Sequence, residues 1–141
     1  MARRDQIITA AGEILEEEGP DGLTMRAIAE RLGIRAPSLY KHISDKRELE
    51  VALIADAFTQ QAEVFAKVMA AGGDTAMAIA TAYREWGLSH RHLYRLMNDQ
   101  RLPREDLPDG LEDQAISTVL GAFGDDRDVA RAAWALSLIH I

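Results

Sequence analysis

Residues 24–43 constrain the fold more than any other stretch, because four positions in them leave the backbone little choice. Ala29 is small enough for two helices to cross closely. Gly33, four residues later, tolerates the positive φ of a tight turn, Ile34 plugs the core after it, and Leu39 anchors the next helix. Thr24 suits the N-cap of a first short helix in which Ile28, Ala29 and Leu32 share a face and which Gly33 ends. A second short helix starts near Ala36, since Pro37 belongs in a first turn, where its missing N–H is no loss. Two short helices around a glycine turn, each with its own apolar anchor, have the form of a helix-turn-helix.

The rest of the chain has helical periodicity between glycine and proline breaks, and no segment alternates as a strand would. Ile7, Ile8, Ala11, Ile14 and Leu15 form one stripe of a first helix that Gly19 and Pro20 stop, with an acidic opposite face. Asp45 and Glu48 have capping-box spacing ahead of a long helix running to Gly72-Gly73, with Leu49, Ala52, Leu53, Ala57, Val64, Phe65, Val68 and Met69 at its apolar positions. At 1.5 Å per residue, residues 45–71 span on the order of 40 Å, enough to join a small N-terminal module to a separate bundle. Ile79, Tyr83 and Trp86 mark a further helix, and Leu93, Leu96 and Met97 a short one. Asp109 and Glu112 repeat the capping spacing before Leu111 to Phe123, and Val129 to Trp134 open a last helix. The expected fold is all-α: a three-helix helix-turn-helix domain over 1–47, joined by a long helix to a helical regulatory domain over 48–141.

Charge decides which partner such a chain meets. The net charge of −7 over 141 residues argues against nucleic acid if it is averaged. Residues 1–47, however, are neutral, and the whole excess of acid lies beyond them. Within 26–47, Arg26, Arg31, Arg35, Lys41, Lys46 and Arg47 face only Glu30 and Asp45, so this stretch carries +4 and suits phosphates. Cysteine is absent, which excludes disulfides, thiolate zinc sites and Cys nucleophiles. The N-terminus lacks an apolar run of signal length, and nowhere do 18 apolar residues run together, so a cytoplasmic protein without membrane attachment is expected. No Gly-x-Ser-x-Gly elbow, P-loop, H-E-x-x-H or dinucleotide glycine motif occurs, and no enzyme is expected.

After Leu32-Gly33-Ile34, the run Leu39-Tyr40-Lys41-His42-Ile43-Ser44-Asp45-Lys46-Arg47-Glu48-Leu49 resembles the DNA-binding signature of the TetR family of one-component transcriptional repressors, and the resemblance extends over residues 5–55. It implies a third helix in the major groove of a palindromic DNA operator, a connecting fourth helix, and a C-terminal domain for effector binding and homodimerisation. By chemistry at the matching positions, Thr24, Tyr40 and Lys46 grip the phosphate backbone, and His42 adds a phosphate or solvent contact. Arg26 reaches a guanine edge, Ala36 and Pro37 touch a thymine methyl, and Arg35, Ser38 and Lys41 bond base edges. Gly12 stands where the family often has Ala, at a cost of about 1 kcal/mol in helix stability.

Tyr83 to Met97 resembles the regulatory region of one large subgroup of that family. Phe65, Met69, Tyr83, Trp86 and Met97 are the candidates to line a pocket for a small-molecule effector, beside the plainer reading that they are core. His90 and His92, two apart, fall on different faces of a helix, so no metal site is expected; nor is a cofactor. The reading that competes with DNA binding is an all-helical adaptor that binds protein through its acidic second part. The chain stops inside an apolar helical pattern, and Leu136 to Ile141 match the translation of a transposon-end sequencing adapter. The expectation is therefore a truncated gene in which part of the dimer interface is missing.

Overall fold

A computed structural model of the chain describes residues 2–72, 75–98, 106–111 and 117. Among the described residues six helices follow in the order α1 (Arg3–Gly22), α2 (Met25–Arg31), α3 (Ala36–Leu39), α4 (Lys46–Ala71), α5 (Thr75–Ser89) and α6 (Arg91–Asn98), and no strand occurs. The fold is all-α, as the periodicity required. The chain divides into two compact units, one gathering Met1–Ala57 with His90–Leu107, the other Phe58–Ser89 with Pro108–Ile141. The helices expected around 111–123 and 129–135, apart from Leu111 and Ser117, lie outside the described residues. So do Glu112 of the second capping pair and residues 136–141.

In the first unit, α1 buries Ile7, Ala10, Ala11, Ile14 and Leu15, spaced to form one inward stripe, and packs on α2 and α6. Its helical run breaks at Gly19, where φ is 75° and ψ −176°, and Pro20 leads one further turn to Gly22. Thr24 then caps α2, its Oγ1 accepting the Ala27 N–H at 3.1 Å. Beyond α2, Gly33 adopts φ 62°. The Ile34 N–H donates to the Ala29 carbonyl at 2.9 Å and the Gly33 N–H to the Glu30 carbonyl at 3.1 Å. This pair of bonds is the Schellman closure that a left-handed glycine permits.

The plug expected at Ile34 is only partial, because that side chain is half-buried at the edge of the turn. Full burial falls instead to Ile28, Leu39 and Ile43, each 0% exposed. Asp45 caps α4 by accepting the Glu48 N–H at 2.8 Å. The returning arm of the expected box differs. Glu48 reaches one residue further back, where its Oε2 collects both the Ser44 N–H and the Ser44 hydroxyl at 2.8 Å, two donors in place of one.

The apolar face of α4 follows the expectation through Leu49, Ala52, Leu53 and Ala57. In the second unit Phe58 and Phe65 are buried, but Met69 near the helix end is exposed. Gln61, 1% exposed, is the buried polar side chain of that stretch, and α5 turns Ile79, Tyr83 and Trp86 inward. On α6 the inward set is Leu93, Tyr94 and Met97; Tyr94 takes the place expected for Leu96, which is half-buried.

Candidate nucleic-acid interface

The backbone of α3 has only four helical residues, extended by turn bonds from the His42 and Ile43 N–H groups to the Leu39 carbonyl at 2.9 and 3.1 Å. Leu39 and Ile43, four apart, sit on its inner side. That burial leaves Arg35, Pro37, Ser38, Tyr40, Lys41 and His42 exposed, with Ala36 half-buried among them. Thr24 and Arg26 on α2 and Lys46 at the start of α4 are exposed as well. All ten residues singled out for DNA contact therefore belong to one continuous stretch of the first unit, and nine of them face solvent.

The structure sorts the six cations of residues 26–47 by their engagements. Arg31 is tied back to α1, where Glu17 accepts from its guanidinium at 2.6 Å and Glu13 lies at 3.5 Å. The Glu17 hydrogen bond raises the Arg31 pKa above its ordinary value. Arg47 pairs with Asp106 at 2.5 Å. Arg26 gives only its Nε to Glu30, at 2.8 Å, and that hydrogen bond together with the Glu30 charge raises its pKa. Lys46 stands 4.0 Å from Glu50. Arg35 and Lys41 form no ion pair with any described residue. Of the two local counter-charges, Glu30 meets Arg26, and Asp45 caps α4 as its spacing to Glu48 predicts. What remains available to a polyanion clusters on and around α3.

Two further links hold this surface to the rest of its unit. Arg4 of α1 reaches Glu48 at 3.4 Å. The Glu48 pKa is lowered, first by the Ser44 N–H, then by the Ser44 hydroxyl and Arg4. At the other end of α1, Glu16 accepts the N–H groups of Leu93 at 2.7 Å and His92 at 3.3 Å. These are first-turn donors of α6, which have no partner inside their own helix. Glu16 does from another helix what an N-cap side chain does locally. No local signal marks it, because its partners lie 76 and 77 residues away. The role of Asp106 is equally silent in sequence, whereas the Arg26–Glu30 spacing of four was open to reading.

Of the effector-pocket candidates, Phe65, Tyr83 and Trp86 are buried in the second unit, where the Phe65 and Tyr83 rings lie 6.1 Å apart and tilted by 35°. Met69 belongs to the same unit but is exposed, and Met97 is buried in the first unit on α6. Among the described residues no three His, Asp or Glu side chains gather as metal ligands, and no helix is long and apolar enough to cross a membrane.

Comparison with known proteins converges on the same segment. Residues 7–53 match the family described as bacterial regulatory proteins, tetR family. The class D tetracycline repressor protein of Escherichia coli is 50% identical over 58 residues, covering 40% of this chain and 27% of that protein. An uncharacterized HTH-type transcriptional regulator of Mycobacterium tuberculosis is 34% identical over 104 residues, covering 71% of this chain and 46% of the relative. In structure, the chain resembles the multidrug binding protein EbrR, solved with imidazole, with a TM-score of 0.65 and 26% identity over 99% of this chain and 82% of that one. The chain spans between about a quarter and a half of the length of these two curated relatives.

Proposed function

We propose, from the premise that the chain belongs to the tetR family of bacterial regulatory proteins, that it acts as a sequence-specific, DNA-binding transcriptional regulator of the cytoplasm. The observation that carries this reading is the outer face of α3. Arg35 and Lys41, which no described acid neutralises, stand there beside Ser38, Tyr40 and His42 on a turn anchored by Leu39 and Ile43. In the major groove such a face offers hydrogen bonds to base edges, while Tyr40, Lys46 and the Thr24 hydroxyl proton, left over once Oγ1 has accepted from Ala27, meet phosphates. Residues 1–47 are then the DNA-binding domain and residues 48–141 the regulatory one. The protein works as a homodimer on a palindromic operator, because one small module gains affinity by pairing with a second on a neighbouring half-site.

The regulatory signal we assign is a small molecule, making the protein a ligand-responsive repressor. The interior of the second unit supports this with aromatic faces from Phe65, Tyr83 and Trp86 and the polar side chain of Gln61, a turn before Phe65 on α4. EbrR, with its bound imidazole, is a relative in fold that takes small ligands. The reading assigns no catalytic step to any side chain.

Salt titration of DNA binding tests the central claim. Affinity is expected to fall steeply as ionic strength rises, Lys46→Ala to flatten the slope of log K against log salt by about one unit, and Lys41→Ala to relax preference at particular base pairs. Binding that ignores salt, a slope that Lys46→Ala does not move, or a base preference that Lys41→Ala does not relax would overturn the groove assignment.

A further inference from the structure

The pair Arg26–Glu30 does more than balance two surface charges. This inference rests on the DNA-binding reading. Arg26 is 87% exposed and Glu30 65%, and each has the other as its partner among the described residues. The guanidinium is held through Nε alone, at 2.8 Å from Oε1, so both terminal Nη groups keep their donors for a ligand. The backbone beneath the pair is closed at both ends. Thr24 caps the turn that carries Arg26, and the Glu30 carbonyl accepts the Gly33 N–H of the Schellman turn. Arg31, the next cation along, is drawn off to Glu17 and Glu13 and does not compete for Glu30.

Chemistry then selects the ligand. A guanidinium beside a carboxylate is nearly neutral as a unit, and a phosphate oxygen approaching it meets the Glu30 charge as well. A neutral base edge meets no such repulsion. Of the four bases, guanine alone presents two acceptors, O6 and N7, side by side in the major groove; adenine presents N7 next to a donor. We propose that Glu30 is a positioning residue that aims the Nη edge of Arg26 at a guanine, and so sets base preference at one position of each half-site without touching DNA itself.

The test uses the full chain. Sites are selected from random DNA, and each guanine of the selected site is replaced in turn by 7-deazaguanine, which lacks the N7 acceptor. Wild-type protein is expected to lose about tenfold in affinity at one guanine, the size of a bidentate contact, and Arg26→Ala to be blind to that replacement. Glu30→Ala should lose most of the same discrimination while its affinity for unrelated DNA holds or rises, since an acid has been removed. Glu30→Gln, which keeps an acceptor for the Nε–H, should restore discrimination in part; a helix that had merely been destabilised would not recover it in that way. If Arg26→Ala is blind but Glu30→Ala discriminates like wild type, the positioning role is wrong and the DNA reading stands. If no sequence is selected at all, both fall.

Discussion

The α2–α3 turn and the α1–α6 contact each rest on a buried or turn glycine with positive φ, for different reasons. At Gly33 φ is 62° and nothing lies within 4 Å of where a Cβ would stand, so backbone conformation alone requires the glycine. At Gly19 φ is 75° and the His92 ring covers the position, its Cε1 3.4 Å from the missing Cβ. The bonds that close the first region join residues three and five apart, Gly33 to Glu30 and Ile34 to Ala29. Those that close the second join Glu16 to His92 and Leu93, 76 and 77 residues away. A turn of the first kind forms wherever its own twenty residues are folded. A contact of the second kind exists only when α6 has come back to α1.

The largest effect is expected where the long-range contact is cut. Glu16→Ala leaves two first-turn N–H groups of α6 without their charged acceptor, and is expected to destabilise by about 2 kcal/mol, within the range for hydrogen bonds to charged groups. Glu16→Gln keeps an acceptor and should lose less. Urea unfolding gives the stabilities, and hydrogen exchange should place the loss at the His92 and Leu93 amides. Protection there that does not change would mean the two regions do not differ in the way described.

Next comes the local turn. Gly33→Ala is expected to destabilise by about 1–2 kcal/mol, purely from forcing a Cβ into the left-handed region, because the space around it is open. Its effect should add to that of Glu16→Ala without coupling, since the two sites share no partner. Coupling beyond about 0.5 kcal/mol would join regions that the geometry separates.

Gly12 sharpens the comparison from the other side. It lies inside α1 with ordinary helical φ, and an added Cβ would meet Leu53 Cδ2 at 3.7 Å, an ordinary contact. Gly12→Ala is therefore expected to stabilise by about 0.5–1 kcal/mol, where the same exchange at Gly33 destabilises. A rise in the urea midpoint checks the sign.

The smallest effect concerns pH. The Glu48 pKa is lowered from 4.5 by Ser44 and Arg4, so its contribution to stability is present above the unfolded value and is lost as pH falls through the lower folded one. Its side chain is 38% exposed, and solvent screening holds this below about 1 kcal/mol. Glu48→Gln keeps the acceptor for the Ser44 N–H and loses the charge. Wild type should be the more stable near pH 6, and the difference should shrink as pH falls below about 4.5. A constant offset between the two from pH 6 to pH 3 would remove the charge from the account.

By itself the sequence determined whatever depends on neighbours along the chain. Thr24 was readable as a cap because its bond closes on Ala27, Gly33 as a turn because the bonds around it run from Gly33 to Glu30 and from Ile34 to Ala29, and the stripe of α1 because helix period places Ile7, Ala11, Ile14 and Leu15 on one side, with Ile8 half-buried at its edge. The exposed row on α3 followed from Leu39 turning inward, and the structure added Ile43 to that inner side. Tertiary structure decided what depends on which helices meet. It gave Arg31 to Glu17 on α1, left Arg35 and Lys41 without an ion pair among the described residues, turned Tyr94 rather than Leu96 inward, and made Glu16 the cap of α6. It also assigned Met97 to the first unit and Phe65, Tyr83 and Trp86 to the second, which periodicity could not do. The physical reason is range. Backbone bonds and caps are satisfied within a turn or two and leave a fixed spacing in the sequence, whereas a carboxylate or an aromatic ring takes its partner from whatever surface packing brings within a few ångströms.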